Sequence, residues 1–580
     1  MNLFADIRSL VVSALTDLAR DGTIPEGLGL DAVAVEPPRD AGHGDMATNA
    51  AMVLAKPARM KPRDIAEALA PRLMADPRIA SAEVAGPGFL NLRLAPSVWH
   101  DLTRAVLGAG DGFGRSGIGQ GTRVNVEYVS ANPTGPMHLG HTRGAVFGDA
   151  LASLLEFAGH EVTREYYIND GGAQVDVLAR SVYLRYLEAH GQAVEFVDGT
   201  YPGAYLIEVG EALKAEVGDD YVGKGEQYWL DAVRTFAIGR MMEAIRADLS
   251  LLGVKMDVFS SEKALYGTGR IEAAIDALDA KGLIYQGTLE PPKGKLPEDW
   301  EAREQTLFRS SDYGDDVDRP IKKSDGSWTY FAPDIAYHYD KTERGFDQLI
   351  DVFGADHGGY VKRMKAAVAA LTDDRVPLDI KLIQLVKLVR DGEELKMSKR
   401  AGTFVALSDM IEMVGRDVTR FVMLTRKNDA PLEIDVDKVR EQSKDNAVWY
   451  VQYAHARVKS VLRKAEGQGI DVSDAGLAGA DLEVLDHPAE HALAARVADW
   501  PRQVEIAARL HEPHRVAFYL YDLAGALHGL WNRGNDEPGL RFVQDDPATT
   551  RAKLALARSV SIVIANGLGI LGVEPADELR

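Results

Sequence analysis

Glu127-Tyr128-Val129-Ser130-Ala131-Asn132-Pro133-Thr134-Gly135-Pro136-Met137-His138-Leu139-Gly140-His141 changes from one kind of backbone to another within a single short stretch. Arg123 to Val129 is rich in β-forming residues, and the run Asn132 to Pro136 breaks any strand. Apolar residues then recur at Phe147, Leu151, Leu154, Leu155 and Ala158 with helical spacing, and Gly159 falls where a left-handed residue closes a helix. The stretch therefore predicts strand, loop and helix, with His138 and His141 at or near the first helical turn. Free backbone N–H groups and the positive end of the helix dipole attract phosphate there. Gly140 between them would let the base and ribose of a nucleotide approach the backbone closely. Read alone, the tetrapeptide is equally a pair of capping or surface histidines.

A second motif lies far downstream. Leu385 to Arg390 reads as a strand, Asp391-Gly392 as a tight turn, and Lys396-Met397-Ser398-Lys399-Arg400 as a basic loop before Gly402. Such a run by itself is ordinarily a solvated loop. Two motifs in this order, each on a strand exit, can bring histidines and lysines onto one triphosphate and stabilise its transition-state charge, which points to nucleotidyl transfer. Together they resemble the HIGH and KMSK signatures of class I aminoacyl-tRNA synthetases.

Within that class, residues 127–141 are similar to the arginyl-tRNA synthetase form of the first motif, including an acidic residue eleven positions before the first histidine. Further similarity lies in Tyr166-Tyr167-Ile168-Asn169-Asp170-Gly171-Gly172-Ala173-Gln174, in Thr329 to His338, in Gly354-Ala355-Asp356-His357 and in Val448 to Arg457. The resemblance thus runs over nearly the whole chain. It implies an α/β fold: a Rossmann-type doubly wound parallel sheet, an α+β N-terminal domain and an all-α C-terminal anticodon-binding bundle. The activity it implies is ATP-dependent activation of L-arginine and transfer to tRNA-Arg, with Mg2+ carried by ATP.

The resemblance also assigns residues. His138, His141, Lys396 and Lys399 would be catalytic, and with Gly140, Asp356, His357, Met397 and Ser398 they would bind ATP. Glu127 and Asp334 would face the guanidinium, Tyr330 would pack or hydrogen-bond along it, and Asn132 would hold the amino-acid head, with Gln174 and His357 completing the arginine site. Trp449, Gln452, Tyr453, Arg457, Asn49 and Lys56 would contact tRNA. Physical chemistry agrees on the ligand type, because a planar, permanently charged guanidinium calls for a carboxylate or two and a phenol or amide. Glu127 and Asn125 share one face of their strand by period two. Some relatives carry lysine where this chain has Gly135 and lack an intact KMSK; here the loop is intact, so Lys396 and Lys399 should supply the charge. The alternatives are a class I lysyl-type enzyme and a catalytically silent tRNA-binding paralogue.

Composition narrows the classes. The chain has 580 residues, a net charge of −21 and no cysteine, which excludes disulfides and thiolate-bound zinc. No metal site of its own is expected. The acidic balance argues against a general nucleic-acid binder, DNA included, although Lys56, Arg59, Lys61 and Arg63 cluster near one end and Arg457, Lys459, Arg463 and Lys464 near the other. Phe4, Ile7, Leu10, Val11, Ala14 and Leu18 stripe an amphipathic N-terminal helix that carries Asp6, Arg8 and Asp17, unlike a signal peptide. No apolar run approaches the length needed to span a bilayer, so a cytoplasmic address is expected. A monomer is expected as a separate matter.

The glycine-rich stretch 109–121 reads as a linker between an N-terminal tRNA-binding domain (1–108) and a catalytic domain (122–425). Its Gly112-Phe113-Gly114-Arg115-Ser116-Gly117 has the form of a dinucleotide fingerprint but follows a helix and opens none. An insertion is expected near 190–325, and a connecting segment with the helical bundle over 426–580. In the bundle Val448, Val451, Val458 and Val461 form one stripe, Val516, Tyr519, Leu523, Leu527 and Leu530 another, and Asn566-Gly567 should end the last long helix.

Overall fold

The computed structural model describes residues 1–289, 304–323, 325–395 and 405–579. They form two compact units, residues 117–441 and a second built from 1–116 with 442–580.

The central unit is organised by five parallel strands: β1 (Arg123–Glu127), β2 (Glu161–Ile168), β3 (Val258–Ser261), β4 (Gln348–Gly354) and β5 (Leu378–Ile383). Their order is β5-β4-β1-β2-β3, so the winding reverses between β1 and β4. Helices α1 (Leu139–Phe157), α2 (Gln174–Ala189), α3 (Phe331–Glu343) and α4 (Val361–Thr372) belong to the connections. In a sheet of this kind the crevice beyond the strand ends at the reversal is the ordinary ligand site. The segment expected as one insertion near 190–325 contains β3, an edge strand of this sheet. Sequence reading missed it because four residues of mixed polarity give little periodicity. What surrounds β3 is a helical part, Tyr205–Val217 and Leu230–Leu252, and a small antiparallel sheet of Ile284–Gly287, Gln305–Phe308 and Arg319–Pro320.

Strand register explains the charges at the centre. Glu127 of β1 lies beside Glu165 of β2 on one side and Asp351 of β4 on the other, so three buried carboxylates line up across the sheet. Helix α3 answers them with Lys341, which donates to Glu127 and, at 2.9 Å, to Asp351, and the following Arg344 pairs with Glu165 at 2.8 Å. Val124 and Val126, pointing the other way by strand alternation, are fully buried.

In the other unit, strands Val35–Glu36, Met46–Thr48, Ile79–Ala85 and Phe89–Leu94 form an antiparallel sheet with the helices Leu3–Arg20, Ala50–Ala58 and Pro62–Met74. Helix Pro96–Ala109 packs against the helices Asp474–Ala478, Pro488–Ala498 and Pro547–Leu571. The valine-bearing and leucine-bearing stripes are both buried, as their spacing predicts. The last helix, however, does not end at Asn566-Gly567: it runs to Leu571, with Gly572 at φ +67° as its cap. Asn566 instead donates to the Gly110 and Phe113 carbonyls, and a Cβ at position 567 would come within 2.6 Å of Leu520, so packing demands these residues mid-helix. This helix is also long and apolar enough to cross a membrane, contrary to the expectation that no segment is, with a mean hydropathy of 1.8 over a window that is 83% buried inside the protein. It is the core helix of the bundle.

Candidate active site

The exit of β1 is strained. Val129 and Ser130 both have positive φ, +70° and +39°, a conformation that a β-branched residue rarely adopts. The kink turns Ser130 so that its hydroxyl donates to Glu127 at 2.9 Å and accepts from the Tyr167 backbone N–H at 3.1 Å. The chain then passes through the proline-rich loop to α1, where His138 is the N-cap. Its Nδ1 accepts from the Gly140 N–H at 3.1 Å, the His138 N–H makes a long 3.4 Å contact to Nδ1 of His141, and the two rings stack at 3.8 Å. The capping reading of the tetrapeptide is thus observed for His138, and accepting at Nδ1 places the proton of each neutral ring on Nε2, as a donor. Gly140 has a local reason to lack a side chain, because a Cβ there would meet the His138 ring at 3.0 Å.

Two sets of contacts tie this segment to the second motif. Arg143 on α1 is 1% exposed and grips three backbone carbonyls, Gln384 and Ala430 through Nη1 and Lys427 through Nη2, at 2.8–3.0 Å. On the far side of the basic loop, Leu139 donates to the Val405 carbonyl and Leu407 to that of Met137, with His138 and Ala406 bridged antiparallel. Lys396, Met397, Ser398 and Lys399 themselves lie outside the described residues. Their described flanks, Leu395 paired to Leu388 and Val405 paired to Leu139, hold one end of the loop to the strand Val386–Arg390 and the other to the first motif.

At the winding reversal lies a cavity of about 300 Å³, lined among others by Glu127, Tyr167, Asp334, Tyr337, His357 and Tyr360. Asp334 enters it from the first turn of α3. Burial pushes its pKa up from 3.8 to about 7, against the Tyr360 hydroxyl, whose hydrogen bond favours the charged form. Glu127, expected to face a guanidinium, lines the cavity and also takes Ser130 on one oxygen and Lys341 on the other. The reason is the strand register, which sets it beside Asp351 and demands a cation between them. One turn beyond Asp334, His338 bonds the Asp334 carbonyl at 2.8 Å and Asp351 at 2.7 Å. Burial disfavours its protonation, but the Asp351 carboxylate outweighs this and raises its pKa.

Other assigned residues sit at the margin. Tyr330, one turn before Asp334, is 72% exposed and is not among the cavity's lining residues; Tyr167, Tyr337 and Tyr360 supply the phenols there. Asn132 and Gln174 are brought together at 3.4 Å. His357 lines the cavity, and Asp356 is exposed beside it at 3.7 Å. Asp170 accepts from the Ser261 hydroxyl and the Lys263 N–H. The residues that sequence reasoning passed over, Tyr167, Tyr337, His338, Lys341 and Tyr360, were partly signalled: Asp334, His338 and Lys341 follow helical spacing on α3.

In the other unit Trp449 and Tyr453 stack at 4.7 Å, and the Arg457 guanidinium lies 4.4 Å from the Trp531 ring. Arg457 lines a cleft of about 470 Å³ with Lys464, Trp531, Arg541 and Phe542. Gln452 donates to the Glu574 carbonyl, and Asn49 holds the backbone of Ala32 and Ala34, so both amides have structural work. Lys56 is exposed, on the last turn of its helix.

Comparison with known proteins places these features. The model for the catalytic domain of class I (R) tRNA synthetases matches residues 107–461, that for the arginyl-tRNA synthetase N-terminal domain residues 5–94, and that for the DALR anticodon-binding domain residues 451–579. The chain is 73% identical to an arginine–tRNA ligase of Ruegeria pomeroyi and 71% identical to one of Paracoccus denitrificans, over the full length of each protein. Among solved structures, an arginyl-tRNA synthetase of Campylobacter jejuni is 31% identical with a TM-score of 0.73, covering 84% of this chain and 100% of that one. The Thermus thermophilus arginyl-tRNA synthetase, 22% identical with a TM-score of 0.75 and full coverage of both chains, shares the fold. With three domain models in the family's order and full-length relatives at this identity, the chain belongs to the arginyl-tRNA synthetase family of class I aminoacyl-tRNA synthetases.

Proposed function

We infer that this protein is an arginine–tRNA ligase that activates L-arginine with ATP and transfers it to the 3′-terminal adenosine of tRNA-Arg. The observation that carries the reading is the cavity at the β1/β4 reversal, where Asp334 and three phenols converge while Glu127 and Asp351 share the Lys341 ammonium. A permanently charged guanidinium suits that arrangement, since it supplies the charge that makes ionised Asp334 favourable.

The reactive end of arginine would then lie toward Asn132 and Gln174, and the triphosphate over the first turn of α1. His138 and His141 would donate through Nε2 to phosphate oxygens, Gly140 and Asp356 would lie along the nucleotide, and Lys396 and Lys399 would neutralise charge as the arginine carboxylate attacks the α-phosphorus in line. Among the described residues no cluster of three or more His, Asp or Glu could hold a metal, and magnesium is assigned to the ATP substrate itself. Arg457 and the stacked Trp449 and Tyr453 are assigned to the anticodon, where stacking and cation contacts suit unpaired bases. Lys56 is assigned to the tRNA body. The protein is assigned to the cytoplasm as a monomer.

Charging of tRNA with each of the twenty amino acids tests this. Arginine alone should be esterified; charging with lysine would establish the lysyl-type alternative, and no charging at all a silent paralogue.

A further inference from the structure

Strand alternation sends Tyr166 and Tyr167 of β2 to opposite faces, with different outcomes. Tyr166 is fully buried and its hydroxyl donates to the Ala131 carbonyl at 2.7 Å. Tyr167 is 6% exposed and its hydroxyl, which is buried, has no hydrogen-bond partner among the described residues. A buried hydroxyl without a partner is costly, so its presence calls for a reason.

The ring is fixed on two sides. Its backbone N–H is held by Ser130 of the strained kink, and its face stacks at 4.1 Å on Tyr337, whose own ring lies 4.5 Å from the Lys341 ammonium. The side chain lines the cavity together with Asp334. Burial, then the charges of Asp334, Glu262 and Glu127, raise its pKa, so the phenol stays neutral and keeps its acceptor lone pairs.

A guanidinium offers five N–H donors in a plane, more than one carboxylate can receive, whereas an ammonium offers three from a point. We propose that Tyr167 is a specificity-determining residue of the amino-acid site, its hydroxyl accepting a hydrogen bond from the substrate guanidinium while Asp334 receives the charge. The proposal rests on the cavity being the arginine side-chain pocket.

The test compares Tyr167→Phe with Asp334→Asn by equilibrium arginine binding, by KM and kcat for charging, and by thermal melting. Tyr167→Phe should weaken arginine binding about 10- to 100-fold, leave the ATP KM within about twofold, and leave the melting temperature unchanged or higher, because the hydroxyl has no partner to lose among the described residues. Competition by L-lysine should change little. Unchanged arginine affinity in Tyr167→Phe, with Asp334→Asn impaired, would overturn the role of Tyr167 while leaving the pocket assignment intact. A lowered melting temperature with arginine and ATP constants shifting together would mark the hydroxyl as structural and also overturn it. If Asp334→Asn binds arginine as well as the parent does, the pocket assignment fails, and the proposal with it.

Discussion

Acidification from pH 8 to pH 6 should weaken arginine binding about tenfold, and Asp334→Asn should abolish that dependence. In the free protein burial holds the Asp334 pKa at about 7, whereas the guanidinium keeps its proton throughout, so arginine binds to the ionised carboxylate only. The apparent dissociation constant then rises by roughly twofold at pH 7, about tenfold at pH 6 and on the order of a hundredfold at pH 5. Stability should move the opposite way. A carboxyl whose pKa is raised on folding binds its proton more tightly in the native state, so the fold is penalised fully above pH 7 and the penalty disappears as the pH falls toward 4. The shift from 3.8 to about 7 sets a ceiling of about 4 kcal/mol on that penalty. Asp334→Asn should therefore lose on the order of 2–4 kcal/mol of arginine affinity yet melt at a higher temperature than the parent at pH 8, with the gap closing toward pH 4. Calorimetric titration of arginine, without ATP, reads this site alone. An affinity that stays flat between pH 8 and 6, or a pH slope that survives in the asparagine variant, would refute the reasoning.

Lys399→Ala should slow arginyl-adenylate formation by orders of magnitude in single turnover while leaving arginine affinity nearly unchanged, since its charge is needed mainly in the transition state. Lys341→Met strands the Glu127 and Asp351 carboxylates in the sheet and should destabilise the central unit by about 3–5 kcal/mol, read as a lower denaturation midpoint. Neutralising Lys56, Arg59, Lys61 and Arg63 together should flatten the salt dependence of tRNA binding by roughly one unit of logarithmic slope for each phosphate that the cluster no longer neutralises. Arg457→Gln should weaken discrimination at the anticodon with little change in the arginine KM, measured by charging of anticodon-variant tRNAs.

What the sequence disclosed followed periodicity and motif spacing. The β1–α1 unit and the valine and leucine stripes of the bundle were legible because apolar spacing and turn residues act locally. Strand β3 was not, being short and without alternation, and Asn566-Gly567 imitated a helix end because its real constraint comes from Leu520 and from carbonyls more than 450 positions away. At the site, chemistry was legible and occupancy was not. Glu127 carries the right group, but only the register of β1 against β4 reveals that Lys341 already claims it. Tyr330 and Tyr167 look alike in sequence, and only the fold shows one exposed and the other sealed.

The unit that joins residues 1–116 to 442–580 has a bearing on synthesis. Helix Pro96–Ala109 finds its packing partners in the helices Pro488–Ala498 and Pro547–Leu571. At roughly 5–20 residues per second, the translating ribosome needs about 20–90 s to supply the second of these after the first helix has emerged. Through that interval Val98, Trp99, Leu102 and Val106, all buried in the finished protein, await their cover on a nascent chain. The early segment is thus a natural client for chaperones, and truncated products ending before the bundle should aggregate instead of accumulating as a folded N-terminal fragment.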